Sequence, residues 1–319
     1  MGSLLHRPRP AWLFALLLTA TSLPPTPAAA EAAPVPRVGK CPIFTADNQW
    51  NKRVDRLPAL RGSSRVIRRI GSGLPLHPDF GSGRWQGGLI GMPFTIVGRA
   101  QPSTPIAFSD SQYSDPGPYP LPATAAIEDR PDRHVISVDA HNCRLYEVYA
   151  GSPQPGGHRW RGGSGATWDL RSDRLRPDGW TSADAAGLPI FPGLVRHEEV
   201  ARGEIAHALR IAVPMTRRAW VYPARHASSE LHDPALPAMG QRLRLKAGVD
   251  PNRFPPQARV VVRALKRYGA LVADHGSPQI HLTGAPSEGW DMPQVYALSR
   301  LRTRDFEVVD TGSLPRPSP

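Results

Sequence analysis

Apolar and polar positions alternate over residues 134–150. The run His-Val-Ile-Ser-Val-Asp leads into Ala140-His141-Asn142, and alternation resumes in Cys-Arg-Leu-Tyr-Glu-Val-Tyr-Ala. This predicts two strands joined by a tight turn, with Cys143 opening the second. Similar runs predict strands at 88–97, 104–108, 164–170, 205–213, 218–222, 270–273, 279–282 and 306–309. The alternating Arg-Leu-Arg-Leu-Lys of 242–246 reads as a half-exposed strand. A period nearer 3.6 marks 255–268, where Val260, Val261, Ala264, Leu265 and Tyr268 share one side between Pro255 and Gly269; this predicts a helix. Shorter helices are predicted at 195–202 and 292–301. The stretch 115–127 is rich in Pro and Gly but carries Tyr119 and Leu121, which need a surface to pack on, so it is expected to be an ordered loop. A long loop is expected over 171–192.

Many short strands with two or three short helices, no internal repeat and no break in composition predict one β-rich α+β domain over 41–310. A sandwich or jelly-roll-like core is the expected arrangement, with an α/β arrangement of the C-terminal third as the alternative. Residues 31–40 read as an extended leader and 311–319 as a disordered tail. The 37 prolines and 29 glycines among 319 residues argue against a helical bundle.

Residues 1–30 have the layout of a secretory signal peptide: Arg7 and Arg9, then the apolar run Ala-Trp-Leu-Phe-Ala-Leu-Leu-Leu, then prolines, then Ala28-Ala29-Ala30. The run is too short for a membrane span, so an exported chain, extracellular or periplasmic, is expected. In that compartment the only two cysteines, Cys41 and Cys143, are expected to form a disulfide. The net charge of +12 falls to +10 without Arg7 and Arg9. Its positive side chains are 35 Arg and four Lys, scattered without a basic run, which argues against a nucleic-acid partner.

Two motif fragments fail on spacing. His197-Glu198 and His207 match the outer positions of a metzincin zinc motif, but Ala201 and Glu204 replace the middle His and the Gly. Gly162-Gly163-Ser164-Gly165-Ala166 resembles a nucleophile elbow, but the strand-like segment follows the serine instead of preceding it. No cofactor loop is present and no metal ligand set is assigned.

Candidate chemistry gathers in 164–226. Trp168-Asp169, and Trp180 followed by Asp184, place flat aromatic faces beside carboxylates, as sugar-binding sites do. In Glu204-Ile205-Ala206-His207, a strand would turn His207 inward with the apolar residues. Tyr222-Pro223-Ala224-Arg225-His226 runs from a strand end into a loop. Each feature also has a structural explanation: core packing for the tryptophans and His207, turn or cap roles for Asp169 and Asp184, an ion pair for Arg225. Asp274-His275-Gly276 and Trp290-Asp291 form a weaker second set.

The stretches CPIFTADNQWN, SDPGPYPLP, RHVISVD, CRLYEVYAG, WDLRSDRLRPDGWTSADAAGLPIFPGLVRHEEV, GEIAHALRIAV, VYPARHAS, RLRLKAGVD and ALKRYGALVADHGS resemble a family of secreted bacterial proteins without an assigned activity. The resemblance covers nearly all of the chain after residue 40. It implies a single exported domain and brings no catalytic residues.

The leading expectation is a secreted glycoside hydrolase acting as a monomer on a polysaccharide or cell-wall glycan, without a cofactor. Its paired carboxyl groups would come from Asp169, Asp184 and Glu204, with Trp168 and Trp180 as sugar platforms. A polyuronide lyase would instead use Arg225 to neutralise the uronate and His207, His226 or Tyr222 as acid and base. A non-catalytic glycan- or cell-wall-binding protein would show the three carboxylates on separate surfaces. If strands 205–213 and 218–222 form a hairpin, His207 and Arg225 share a cleft. N-terminal sequencing of exported protein is expected to begin at or near Glu31; a chain beginning at Met1 contradicts the signal assignment.

Overall fold

Ten strands build two mixed sheets, and most lie where the sequence alternates. The computed structural model describes residues 1–2 and 35–316; the proposed signal segment lies outside the described residues apart from Met1 and Gly2. In chain order the strands are β1 (Leu76–Asp79), β2 (Phe94–Val97), β3 (Val135–Asp139), β4 (Arg144–Val148), β5 (Gly165–Asp169), β6 (Leu209–Val213), β7 (Arg242–Leu245), β8 (Ala270–His275), β9 (Ile280–Thr283) and β10 (Phe306–Val308). The helices are α1 (Ser63–Ile70), α2 (His197–Ala201), α3 (Pro256–Arg267) and α4 (Met292–Tyr296). The first sheet has the order β5-β4-β3-β2, the second β10-β7-β8-β6-β9-β1.

The hairpin β3–β4 is the expected one. Asp139 pairs with Arg144 across it, and the Asp139 carboxylate accepts the N–H groups of His141 and Asn142, both at 2.9 Å, closing the turn. Alternation along β3 sends Ile136 and Val138 into the main core and Val135 into a second cluster on the opposite face, with Tyr119, Leu121, Val148 and Trp160. The 115–127 loop is therefore ordered because it covers that outer face.

The main core draws apolar residues from both sheets and from α3. On α3, Val260, Val261, Ala264 and Leu265 are buried as their spacing requires, and Tyr268 beyond its end is buried too. Gly269, at φ +66°, ends the turn where an added Cβ would strike the Leu243 carbonyl. The result is a β-rich α+β domain with a sandwich-like core. Parallel pairing of β2 with β3, β6 with β8 and β9 with β1 is foreign to an antiparallel jelly roll.

Cys41 and Cys143 form the expected disulfide, with Cα atoms 5.2 Å apart across 102 residues. It fastens the N-terminal segment to the β3–β4 turn. There, Phe44 N–H donates to the Leu170 carbonyl, and Leu170 N–H donates to the Cys143 carbonyl.

Several expectations need correction. Residues 218–222 are not a strand; only Trp220 forms a bridge, to Met239, and β6 pairs with β8 and β9 instead. β7 is buried throughout, not half-exposed. Arg242 donates to the Tyr268 and Gln49 carbonyls, and Arg244 to those of Val54 and Leu57, so these side chains pin the 49–57 segment to the sheet. The leader folds back in part, Arg37–Val38 pairing with Cys41–Pro42. The tail is placed through residue 316: Pro315 accepts a hydrogen bond from Gln49, and Arg316 lies over Tyr222. Helix α1 was not foreseen.

Replacing Cys41 and Cys143 by serine is expected to cost roughly 2–5 kcal/mol of unfolding free energy, since the bond closes a loop of about 100 residues. Denaturant unfolding of the two forms measures this; equal midpoints contradict it.

Candidate functional site

A buried arginine sits on a central strand of the second sheet. β6 reads Leu-Arg-Ile-Ala-Val; Leu209, Ile211 and Val213 face the main core, so Arg210 projects from the other face. Its guanidinium is buried and must be neutralised. Nε donates to Asp184 Oδ2 at 2.7 Å, Nη2 to Asp274 Oδ2 at 3.0 Å on β8, and Nη1 to Thr283 Oγ1 at 2.9 Å on β9. Burial pushes the Asp184 carboxyl above the usual carboxylate range, against the pull of Arg210. Arg210 is itself held firmly charged by Asp184 and Asp274, which outweigh its burial.

This polar face forms one wall of a cleft of about 280 Å³. The opposite wall comes from the first sheet and its approaches. Asp132, His134, Tyr149 and Ser164 line it, and the 181–185 loop and Ser228 complete it. His134 is buried between two acceptors: Nδ1 lies 2.5 Å from Glu128 Oε2, and Nε2 lies 3.0 Å from the Ala183 carbonyl. Burial alone would lower the imidazole, but the Glu128 carboxylate wins and raises it, while the Glu128 carboxyl is lowered in turn. The doubly protonated ring is the form that satisfies both acceptors.

Asp132 sits at the exposed rim of this cleft. Desolvation by the cleft walls pushes its carboxyl above its ordinary value; the Glu128 and Asp274 charges add to this, and His134 and Arg210 oppose it. Across the cleft, Asp274 is fixed by Arg210, and its Oδ1 accepts the His275 N–H at 2.8 Å. The cleft thus holds one carboxyl raised above its ordinary value by desolvation and a second fixed to a guanidinium. Such divided surroundings let two like groups take opposite roles in acid–base chemistry.

Behind the cleft, residues 186–195 run between the sheets. Ala186 N–H donates to the Ala273 carbonyl and Val195 N–H to that of Thr283. Glu147 on β4 accepts the N–H groups of Ile190 and Phe191. Burial pushes Glu147 up to about 7 against those two donors.

The residues chosen from sequence do not converge: Asp169, Asp184 and Glu204 lie apart, each with its own arginine, which is the dispersal expected of a non-catalytic binding protein and removes the carboxylate pair expected from the sequence. Asp184 is at the cleft, but Arg210 occupies it. Asp169 ends β5, caps the Arg171 N–H and pairs with the Arg171 side chain. Glu204 is exposed and pairs with Arg267. His207 is buried against Glu199 Oε2 at 3.0 Å and the Ala208 carbonyl at 2.7 Å, in a cluster with Arg196. Trp168 and Trp180 line a separate cavity. Arg225 donates to the Arg176 carbonyl and pairs with Asp178. His226 Nδ1 lies 2.8 Å from the Ala185 carbonyl. Tyr222 flanks a narrow crevice, its hydroxyl pushed up to about 12 by burial. Without the 205–222 hairpin, the expected cleft shared by His207 and Arg225 loses its basis. Ser164 lies just before β5, the reverse of the strand-then-helix order that an elbow requires, and donates to the Ser182 carbonyl at 2.7 Å.

Asp132, His134 and Arg210 escaped sequence reasoning. The one available signal was Arg210, the only charge in an apolar strand, which demanded buried partners. Asp274, from the weaker second set, lies within β8.

Comparisons with protein-family models, curated proteins and solved structures find no match to this chain. Among the described residues, no helix is long and apolar enough to cross a membrane, and no group of three or more His, Cys, Asp or Glu side chains is arranged to hold a metal ion.

Glu199 supplies a pH dependence separate from the cleft. Burial would raise its carboxyl, but Arg196 and His207 lower it to about 2. A depressed folded value stabilises above the unfolded value near 4.5, and this stabilisation disappears as pH falls toward 2. The full effect is on the order of 3 kcal/mol. The stability gap between the native chain and Glu199→Gln should therefore shrink as pH drops through that window in urea titrations. A gap independent of pH contradicts the assignment.

Proposed function

We propose that this protein is a secreted glycan-cleaving enzyme, a glycoside hydrolase whose acid–base pair is Asp132 and Asp274. The supporting observation is the pair of carboxyl groups lining one cleft with opposed surroundings. Glycosidic cleavage needs a proton for the leaving oxygen and a carboxylate on the other side of the anomeric carbon. Asp132, its carboxyl raised above its ordinary value at the rim, gives the proton. Asp274, oriented by Arg210, either activates water or attacks the anomeric carbon.

His134 lines the same cleft with both ring nitrogens engaged by Glu128 and the Ala183 carbonyl, which leaves it no free nitrogen for the substrate. Arg210 is committed to Asp184 and Asp274, which leaves it poorly suited to neutralise a uronate in an elimination. This favours hydrolysis over a lyase reaction. The disulfide and the leader composition support action outside the cytoplasm, and the single domain is read as a monomer.

Asp132→Asn and Asp274→Asn are each expected to lower the release of reducing ends from a polysaccharide panel by about 10²–10⁴-fold; the exposed Asp132→Asn keeps a melting temperature close to the parent, whereas Asp274→Asn removes a carboxylate partner of buried Arg210 and lowers it. The alkaline limb of kcat/KM should lie above the ordinary carboxyl range, because raising pH removes the Asp132 proton. Activity that survives both substitutions, or products bearing unsaturated-uronate absorbance, rejects this mechanism.

A further inference from the structure

Beside the cleft lies a larger cavity of about 590 Å³, among whose lining residues are Arg144, Trp168, Asp169, Arg174, Arg176 and Trp180. That size falls within the usual span for small-ligand sites, roughly 300–1,000 Å³. Its charges are unevenly satisfied. Arg176 lies against the rings of Trp168 and Trp180, at 5.9 and 5.4 Å from their centroids. Its donors go to Asp115 at 2.5 Å, the Tyr113 carbonyl at 2.7 Å and the Thr181 carbonyl at 2.8 Å. Asp115 also accepts the Thr167 N–H at 2.8 Å, and Asp169 is taken by Arg171. Asp115 is thus taken by Arg176 and Asp169 by Arg171, with Arg144, the cross-strand neighbour of Asp169, adding to the charge that holds its carboxyl down. Arg144, half-buried on β4, and the exposed Arg174 make no ion pair among the described residues.

The cavity and the cleft are joined by one loop. Trp180 lines the cavity, and the next residues, Thr181–Asp184, line the cleft. Tyr113, edge-on to Trp180 at 6.4 Å, follows Asp110, another cleft residue, by three positions.

We propose that the cavity is an acidic-sugar subsite, in which Arg144 and Arg174 bind the carboxylate of a uronic acid residue while an adjacent unit occupies the cleft. The assignment rests on the glycan-cleaving reading and names its substrate class as a polyuronide. Guanidinium–carboxylate pairing is strong and directional, and the arginines contributing it lie on the cavity wall, away from the committed Arg210.

Affinity electrophoresis and calorimetry with polygalacturonate, alginate and hyaluronate, each beside its carboxyl-reduced form, test this. The parent chain is expected to bind at least one polyuronide tenfold or more tightly than its reduced form. Arg144→Ala/Arg174→Ala should lose that preference, and Arg174→Glu, an exposed single change, should weaken it alone. Equal binding of native and reduced polymers by the parent, or an unchanged preference in both arginine variants, overturns the subsite. Binding that behaves as expected without any cleavage by the parent would instead reject the catalytic reading while leaving the subsite standing.

Discussion

The Arg210 guanidinium, buried in the polar face of the second sheet, is the constraint on which the architecture of the cleft depends. An unpaired charge there would cost several kcal/mol, so three separate segments must deliver oxygen to it: Asp184 from the long loop, Asp274 from β8 and Thr283 from β9. Meeting that demand fixes the 181–185 loop against the sheet and aims Asp274 along the cleft wall. The same contacts remove Asp184 from chemistry. A carboxylate fully enclosed and hydrogen-bonded to a guanidinium positions its neighbours instead of exchanging protons with a substrate.

The first sheet is held to this frame by another buried acid. Glu147 projects from β4 and captures the N–H groups of Ile190 and Phe191, so the 186–195 segment is fastened to one sheet by its amides and to the other through Ala273 and Thr283. Aromatic contact between Phe94 on β2 and Phe191, 5.0 Å between ring centroids, adds apolar packing to the same junction. Gly193 is required there, because an added Cβ would meet the Trp50 ring and the Arg210 side chain. The cleft is therefore the seam between two sheets, with its walls registered by hydrogen bonds behind it.

Local features were legible in the sequence, and long-range appositions were not. Period-two alternation located β3 and β4, the Val260–Leu265 spacing located α3, and the cysteine count fixed the disulfide. Residues 218–222 have strand-like composition yet pair only through the bridge of Trp220 to Met239, since β6 has both edges taken by β8 and β9; strand formation depends on pairing, which propensity does not report. Helix α1 is short and carries Arg65, Arg68 and Arg69 among Val66, Ile67 and Ile70, so its apolar stripe was easily lost. The site failed for a related reason. Asp132, Asp184, Arg210 and Asp274 stand on four segments, and nothing in their local sequence shows that they meet. Aromatic-acid neighbours such as Trp168-Asp169 drew the eye instead, and they line the adjacent cavity.

The arginine excess takes on a different meaning once its members are placed. Arg176, Arg196, Arg210, Arg242 and Arg244 are all buried. Several of them donate to backbone carbonyls, as Arg242 does at Tyr268 and Gln49. A carbonyl accepts a hydrogen bond but brings no negative charge, so Arg242 adds a net positive charge to the fold without creating a basic surface, while the other four are also paired with carboxylates. Burial lowers the Arg242 guanidinium to about 9, the direction expected when no carboxylate stands beside it. Overall charge therefore does not locate a polyanion site in this protein. Local imbalance does: a cavity wall where both acids are already paired and two guanidinium groups are left over is a more specific feature than a high isoelectric point, and it lies one loop away from the cleft.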